Sequence, residues 1–115
     1  MFQTEIATQP LTPAASANLG WSPTALSSFL LTHEQTRGKA ALLEAVQTRG
    51  NEPAPHVHHD SDETFYIIEG KMTFYVAGKT IAAPAGASVF IGRGQEHSFT
   101  VDTAAANTLI LVTPA

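Results

Sequence analysis

The chain has no cysteine, so neither a disulfide nor a thiolate-bound zinc site is available to it, and nothing points to an oxidising compartment. Basic residues are scarce. Six Lys plus Arg stand against ten Asp plus Glu, for a formal charge of −4, and the six are scattered. Holding a phosphate backbone takes a clustered basic footprint, which argues against a nucleic-acid partner. No apolar run approaches the length that crosses a bilayer, so no membrane partner is expected. The opening residues Met-Phe-Gln-Thr-Glu-Ile offer neither a basic stretch nor an apolar stretch of the secretory kind. A helical period is almost absent. These absences leave a soluble, cytoplasmic, single-domain protein of 115 residues with one modest core.

What is present is a run of short β-rich segments separated by Gly, Pro, Asn and Asp. Residues 1–23, rich in Ala, Thr, Pro and Ser with Pro10, Pro13 and Pro23 spaced through them, read as an extended arm. Residues 24–115 read as one β domain. Strands are expected at Leu26–Thr32, Ala40–Thr48, His56–His58, Glu63–Glu69, Lys71–Ala77, Ser88–Ile91, His97–Val101 and Thr108–Thr113. Ala40–Val46 has helix-forming residues, but Arg37-Gly38 before it and Arg49-Gly50 after it favour a strand. Gly70 and Gly78 sit where hairpins need a positive φ. Met72, Phe74 and Val76 share one face of their strand, and Thr73 and Tyr75 take the other. Many short strands at close spacing indicate a β-sandwich or barrel.

The histidines carry the chemistry. His56 and His58 are two apart, so an extended segment points both rings to one side. Asp60-Ser61-Asp62 is turn chemistry that brings Glu63 back beside them. His97 follows a second loop, Gly92-Arg93-Gly94-Gln95-Glu96, and opens another strand. Three imidazoles and one carboxylate form a site for one divalent first-row metal: Fe, Mn, Ni, Co, Cu or Zn. His59 faces away from its neighbours and is expected in solvent or in a supporting position. His33 is expected at the surface. The acidic residues Glu52, Asp60, Asp62 and Glu69 read as a solvated rim.

Gly50-x5-His56-x-His58-x4-Glu63-x6-Gly70 matches the first cupin motif at every signature position, and Gly86-x5-Gly92-x-Gly94-x2-His97 resembles the second. In the second, Gly92 stands where proline is usual and Val101 where asparagine is usual. The text His-Val-His-His-Asp-x-Asp-Glu-x-Phe-Tyr-Ile-Ile-Glu-Gly, with the closing Leu-Val-Thr-Pro-Ala, is similar to small quercetin-dioxygenase-like cupins over roughly residues 40 to 115. The resemblance implies an all-β double-stranded β-helix, a jelly-roll barrel with the metal in its mouth.

Chemistry depends on the coordination number. Zinc held tetrahedrally by all four donors would be closed, whereas a six-coordinate ion keeps two neighbouring positions for substrate or O₂. Glu63 is then the candidate general base. Phe65, Ile67, Phe74, Phe90 and Phe99 are expected around the metal, in the core or lining the pocket. Such an apolar pocket without clustered Arg or Lys suits a small, flat, oxygen-bearing molecule better than a sugar phosphate. The expected function is a metal-dependent dioxygenase or related oxidoreductase, as the resemblance implies. A non-catalytic small-molecule-binding cupin with the same metal, or a metal-dependent isomerase, is the alternative. Exposed sheet edges and the arm together imply a homodimer.

Overall fold

Apolar and polar residues alternate along nearly every extended segment of this chain, and that period of two builds two sheets with one buried face each. The structure, a computed structural model, describes residues 12–13 and 26–114. The expected arm and its boundary with the barrel otherwise lie outside the described residues. The elements in chain order are β1 (Thr12–Pro13), β2 (Leu26–Leu31), α1 (His33–Thr36), β3 (Ala41–Thr48), β4 (Asp62–Glu69), β5 (Lys71–Val76), β6 (Lys79–Pro84), β7 (Ser88–Ile91), β8 (His97–Val101) and β9 (Ala105–Thr113). The larger sheet runs β1-β2-β3-β9-β4-β7 and the smaller β6-β5-β8, with every pair antiparallel. This is the all-β jelly roll that the sequence leads one to expect.

The interior is layered, because register sets which inward side chains lie level. At one end Ala41, Val112, Glu63 and Ile91 form a row across the larger sheet, facing Val76 and His97 of the smaller. The middle layer sets Leu43, Ile110, Phe65 and Val89 against Ile81, Phe74 and Phe99. The far layer holds Ala45, Thr108 and Ile67 against Ala83, Met72 and Val101. Met72, Phe74 and Val76 all point inward and are buried, as their parity predicts.

Four departures from expectation have physical causes. His56–His58 does not form a strand: Pro53 and Pro55 lack the N–H a ladder needs, and only an isolated bridge from His56 to His97 remains. Strand β6 went unread because Lys79–Pro84 is weakly apolar, although the turn ahead of it is legible. Ala77 and Gly78 both have positive φ, the geometry of a tight two-residue hairpin. The short helix α1 was also missed. Its signal is a capping box, in which Thr32 accepts from the Gln35 N–H and Gln35 accepts from the Thr32 N–H. Phe90, expected in the core beside the metal, stands on the outer face and is 62% exposed, because Val89 and Ile91 take the inward positions of β7.

The outer faces differ. The larger sheet exposes Tyr66, Ile68, Phe90 and Leu111, whereas the smaller carries Thr73, Tyr75, Thr80, Ser98 and Thr100 outward. Among the described residues, no helix is long and apolar enough to cross a membrane.

Gly70, which ends the first motif, has φ +89° where the chain turns from β4 into β5, and β9 lies directly against it. A Cβ there would stand 2.6 Å from the Ala105 carbonyl oxygen and 2.9 Å from Ala106 Cα. Gly78 shares the positive φ but faces open space. Gly78→Ala should therefore lose only the conformational term, about 1–2 kcal/mol. Gly70→Ala adds a backbone collision and should lose roughly 3 kcal/mol or more. Urea unfolding of the two variants against the parent measures this, and equal losses would contradict it.

Candidate metal centre

Main-chain pairing assembles the site before any side chain is considered. The His56 N–H donates to the His97 carbonyl at 3.0 Å, and the His97 N–H returns a bond to the His56 carbonyl at 2.9 Å. This reciprocal bridge sets two histidines, forty-one positions apart in the chain, directly opposite each other. The Gly94 N–H then donates to the His58 carbonyl at 2.8 Å. Glu63, the second residue of β4, points inward between Val112 and Ile91 and is only 4% exposed.

The four expected donors converge. Ring centroids lie 4.9 Å apart for His56 and His58, 4.4 Å for His56 and His97, and 5.4 Å for His58 and His97. One nitrogen from each of the three rings falls within 4.8 Å of the others. Glu63 Oε1 stands 3.2 Å from His97 Nε2, and Oε2 stands 3.4 Å from His58 Nε2. The carboxylate thus touches two of the three imidazoles. His59 is exposed and takes no part in the group.

Hydrogen bonds orient two of the rings. His56 Nδ1 lies 2.8 Å from the Ala54 carbonyl oxygen, and His97 Nδ1 lies 3.0 Å from that of Gln95. A carbonyl only accepts, so each Nδ1 carries the proton and each neutral ring presents the Nε2 lone pair. At His97 this creates a conflict. Its Nε2 is buried, has no hydrogen-bond partner, and faces a carboxylate that also has only lone pairs to offer. A cation between them resolves the conflict, whether a proton or a metal.

The titration tendencies of two of the rings diverge. Burial pushes His97 down, but Glu63 and the Gln95 carbonyl outweigh it and hold the His97 proton more tightly than usual. His58 goes the other way: burial lowers it most, and the neighbouring imidazoles add to that against the pull of Glu63. The three imidazole nitrogens, with a carboxylate against two of them, are a donor set compatible with a divalent transition metal. A metal–nitrogen bond of about 2.1 Å also requires donors only a few ångströms apart.

Below this group the barrel is filled. Phe65, Phe74 and Phe99 meet with centroids 5.0, 5.6 and 5.9 Å apart and interplanar angles of 50–60°, the edge-on contact that aromatic rings favour. All three are almost fully buried, so they form a floor under the donors rather than the walls of a deep pocket. Ile67 belongs to the layer beneath that floor, two inward positions beyond Glu63, and lines no pocket at the donors.

The loops that carry the donors are tied by two acidic residues, Glu52 and Asp62, that the sequence leads one to expect in a solvated rim. Glu52 accepts from the Gly50 N–H and the Val101 N–H, both at 2.9 Å, pinning the segment ahead of His56 to β8. Asp62 accepts a forked pair of bonds from the Arg93 side chain and a third from the Arg93 N–H. Nothing in the sequence flags partners this far apart. Gly92, where proline is usual, donates its N–H to Gln95 Oε1 at 2.8 Å, a bond that proline would forfeit. Gln95 thereby stiffens the loop in proline's place.

A family model described as "Cupin domain" matches residues 42–113. Quercetin 2,3-dioxygenase of Bacillus subtilis (strain 168) is 26% identical over 78 residues, which make up 68% of this chain. They are only 23% of that relative, so the chain spans less than a quarter of its length. Among solved structures, a predicted oxalate decarboxylase from Thermotoga maritima aligns with a TM-score of 0.72 at 24% identity, covering 79% of this chain and 81% of that one. KdgF from Halomonas sp. aligns with a TM-score of 0.72 at 14% identity, covering 95% and 91%. At these identities the structural likeness speaks for the fold alone.

The Glu52 anchor has a testable sign. The Val101 N–H, then its own backbone and the Gly50 N–H, hold the Glu52 carboxyl below its ordinary pKa. A depressed folded value means that the stabilisation is complete above the unfolded carboxylate range and disappears as pH falls through the folded value. Glu52→Gln should therefore be less stable than the parent at about pH 7, with the gap closing toward about pH 3. Urea unfolding at both pH values checks this, and a gap independent of pH would refute it.

Proposed function

The chain belongs to the cupin family, and on that premise we propose that it is a metal-dependent oxidoreductase of the dioxygenase type, acting on a small, partly aromatic, oxygen-bearing molecule. The observation that carries the metal reading is the buried His97 Nε2, without a hydrogen-bond partner and set 3.2 Å from the buried Glu63 carboxylate. His56, His58, His97 and Glu63 are the residues that would hold the ion. When bound, a six-coordinate transition metal supplies Lewis acidity and neighbouring open positions.

The protein's own part is positioning, exclusion and proton transfer. The carbonyls of Ala54 and Gln95 keep the His56 and His97 rings oriented. The Phe65–Phe74–Phe99 floor closes the barrel beneath, so a substrate approaches from the mouth and stays small. Glu63 is placed to accept a proton from a substrate hydroxyl, leaving an electron-rich anion for reaction with O₂. Arg93 is committed to Asp62, which leaves no free guanidinium at this rim from that residue for a phosphate. This favours an uncharged oxygen-bearing substrate over a sugar phosphate, and the likeness to quercetin 2,3-dioxygenase points the same way.

Purified protein loaded in turn with Fe, Mn, Ni, Co, Cu and Zn should hold about one ion per chain, and His56→Ala or His58→Ala should lose most of it. An oxygen-electrode screen with flavonols, enediols and hydroxyketones should show uptake for at least one redox-capable metal. Glu63→Gln should lower that rate by about 10²–10⁴-fold, far more than it lowers metal content. Failure of every ion to bind would overturn the metal reading. Silence across the screen alongside ligand-induced thermal stabilisation would favour a non-catalytic binding role.

We also propose that the protein is a homodimer joined through the outer face of the larger sheet. Of the five large apolar side chains exposed among the described residues, Tyr66, Phe90 and Leu111 share that face by register, and Ile68 stands next to them at the irregularity of β4. Together they present roughly 400 Å² of surface. Two copies face to face would cover about twice that, the apolar share of a standard 1,200–1,600 Å² interface once a polar rim is added. Phe90 and Leu111 are both level with the uncharged Thr64 across the sheet, so self-pairing there opposes no like charges. Light scattering at tens of micromolar should return twice the chain mass. Phe90→Lys should halve that mass, while Tyr75→Lys on the other sheet leaves it unchanged. A monomeric parent, or a Phe90→Lys protein that remains dimeric, would overturn this assembly; a monomeric parent that exposes the face only after loss of residues 1–11 would assign it to the chain's own N-terminus.

A further inference from the structure

We propose that Asp62 and Arg93 form a latch that sets the register of the donor group across the two sheets. This rests on the reading that the group binds a metal. The donors come from three separate pieces of chain: Glu63 from β4, His56 and His58 from the loop before it, and His97 from β8. The bridge between His56 and His97 fixes those two against each other, and the bond from Gly94 to His58 adds the third. Glu63 stands on the larger sheet, opposite them.

The Asp62–Arg93 pair extends the Glu63–Ile91 pairing of β4 with β7 by tying the strand that carries Glu63 to the loop that leads to His97. Asp62 is the residue immediately before Glu63, and Arg93 lies in the loop that delivers His97. Asp62 Oδ1 accepts from the Arg93 N–H at 2.8 Å and from Nε at 3.1 Å, and Oδ2 accepts from Nη2 at 3.1 Å. Arg93 Nη2 also reaches the carbonyl of Thr113 at 3.4 Å, and Thr113 is the β9 residue paired with Asp62. One guanidinium therefore grips two adjacent strands of the larger sheet, while its own backbone belongs to the loop leading into the smaller one. The neighbouring Gly94 holds His58 from the same loop. A shift of Arg93 would move Glu63 relative to His97 and His58 together.

The alternative is an ordinary surface ion pair. The Arg93 and Asp62 side chains are 50% and 25% exposed, and pairs of that kind contribute little to stability. The two accounts diverge in what they change. A surface pair, if it matters, matters to folding. A latch matters to how the ion is held, and the fork is the part that carries geometry, since lysine offers charge without it.

The test uses cobalt(II) as the probe, with the full chain carrying Arg93→Ala, Arg93→Lys or Asp62→Asn. Its visible absorption reports donor geometry, and transfer to an excess of chelator reports release. Arg93→Ala and Asp62→Asn should release cobalt about 10- to 100-fold faster than the parent, with a changed visible spectrum. Arg93→Lys should remain fast, and the metal-free melting temperatures should stay close to the parent's. Unchanged release and spectrum in all three variants, with cobalt bound to the parent, would overturn the latch and leave the metal reading standing. A parent that binds no cobalt overturns both. Should Arg93→Ala fail to fold, Arg93→Lys and Asp62→Asn decide the matter by the same criteria.

Discussion

A carboxylate with almost no access to water governs the mouth end of this molecule. Removing Glu63 from solvent costs several kcal/mol unless positive charge or hydrogen-bond donors replace the lost hydration. The structure offers imidazole nitrogens on two sides, at 3.2 and 3.4 Å. It also fixes the His97 ring so that the nearer nitrogen turns a lone pair toward the carboxylate. Positive charge between these groups, a proton or a metal ion, would offset that cost, and the rest of the mouth holds the groups in place around it. The reciprocal bridge between His56 and His97, the Glu52 anchor and the Asp62–Arg93 fork are all restraints of that kind.

Much of this was legible in the sequence, for identifiable reasons. Inward positions on β4, β5 and β8 follow from strict alternation, so the parity of Glu63, Phe65, Met72, Phe74, His97 and Phe99 places each on the core side before any coordinates are known. The convergence of His56, His58, Glu63 and His97 follows from motif spacing. What escaped depends on facts that a single sequence does not carry. Phe90 reads as core by hydrophobicity, and only the register of β7 against β4 turns it outward. The roles of Asp62 and Glu52 depend on partners 31 and 49 positions away. Acidic residues near an acidic cluster look like a solvated rim until those partners are located. The loop at His56 shows a subtler failure: the two rings do share a side, yet through one bridge and two prolines rather than through a strand.

Gly70 illustrates how a motif position can be purely mechanical. It contributes no donor, and its φ alone would admit a small penalty for any other residue. What excludes a side chain there is the β9 backbone, which passes where a Cβ would stand. Strand β9 pairs with both β3 and β4 and so lies at the centre of the larger sheet. The glycine lets the hairpin that follows Glu63 fold tightly against that central strand.

The three-ring floor has a consequence for how such a protein can change over generations. Phe65, Phe74 and Phe99 join the two sheets one layer below the donors. Much of the cohesion between the sheets is therefore lodged in a stratum separate from the donors. A substitution of a donor at the mouth would leave the packing of that layer in place. A scaffold partitioned in this way can take a change of donor at one end while the apolar packing in the middle still holds the sheets together.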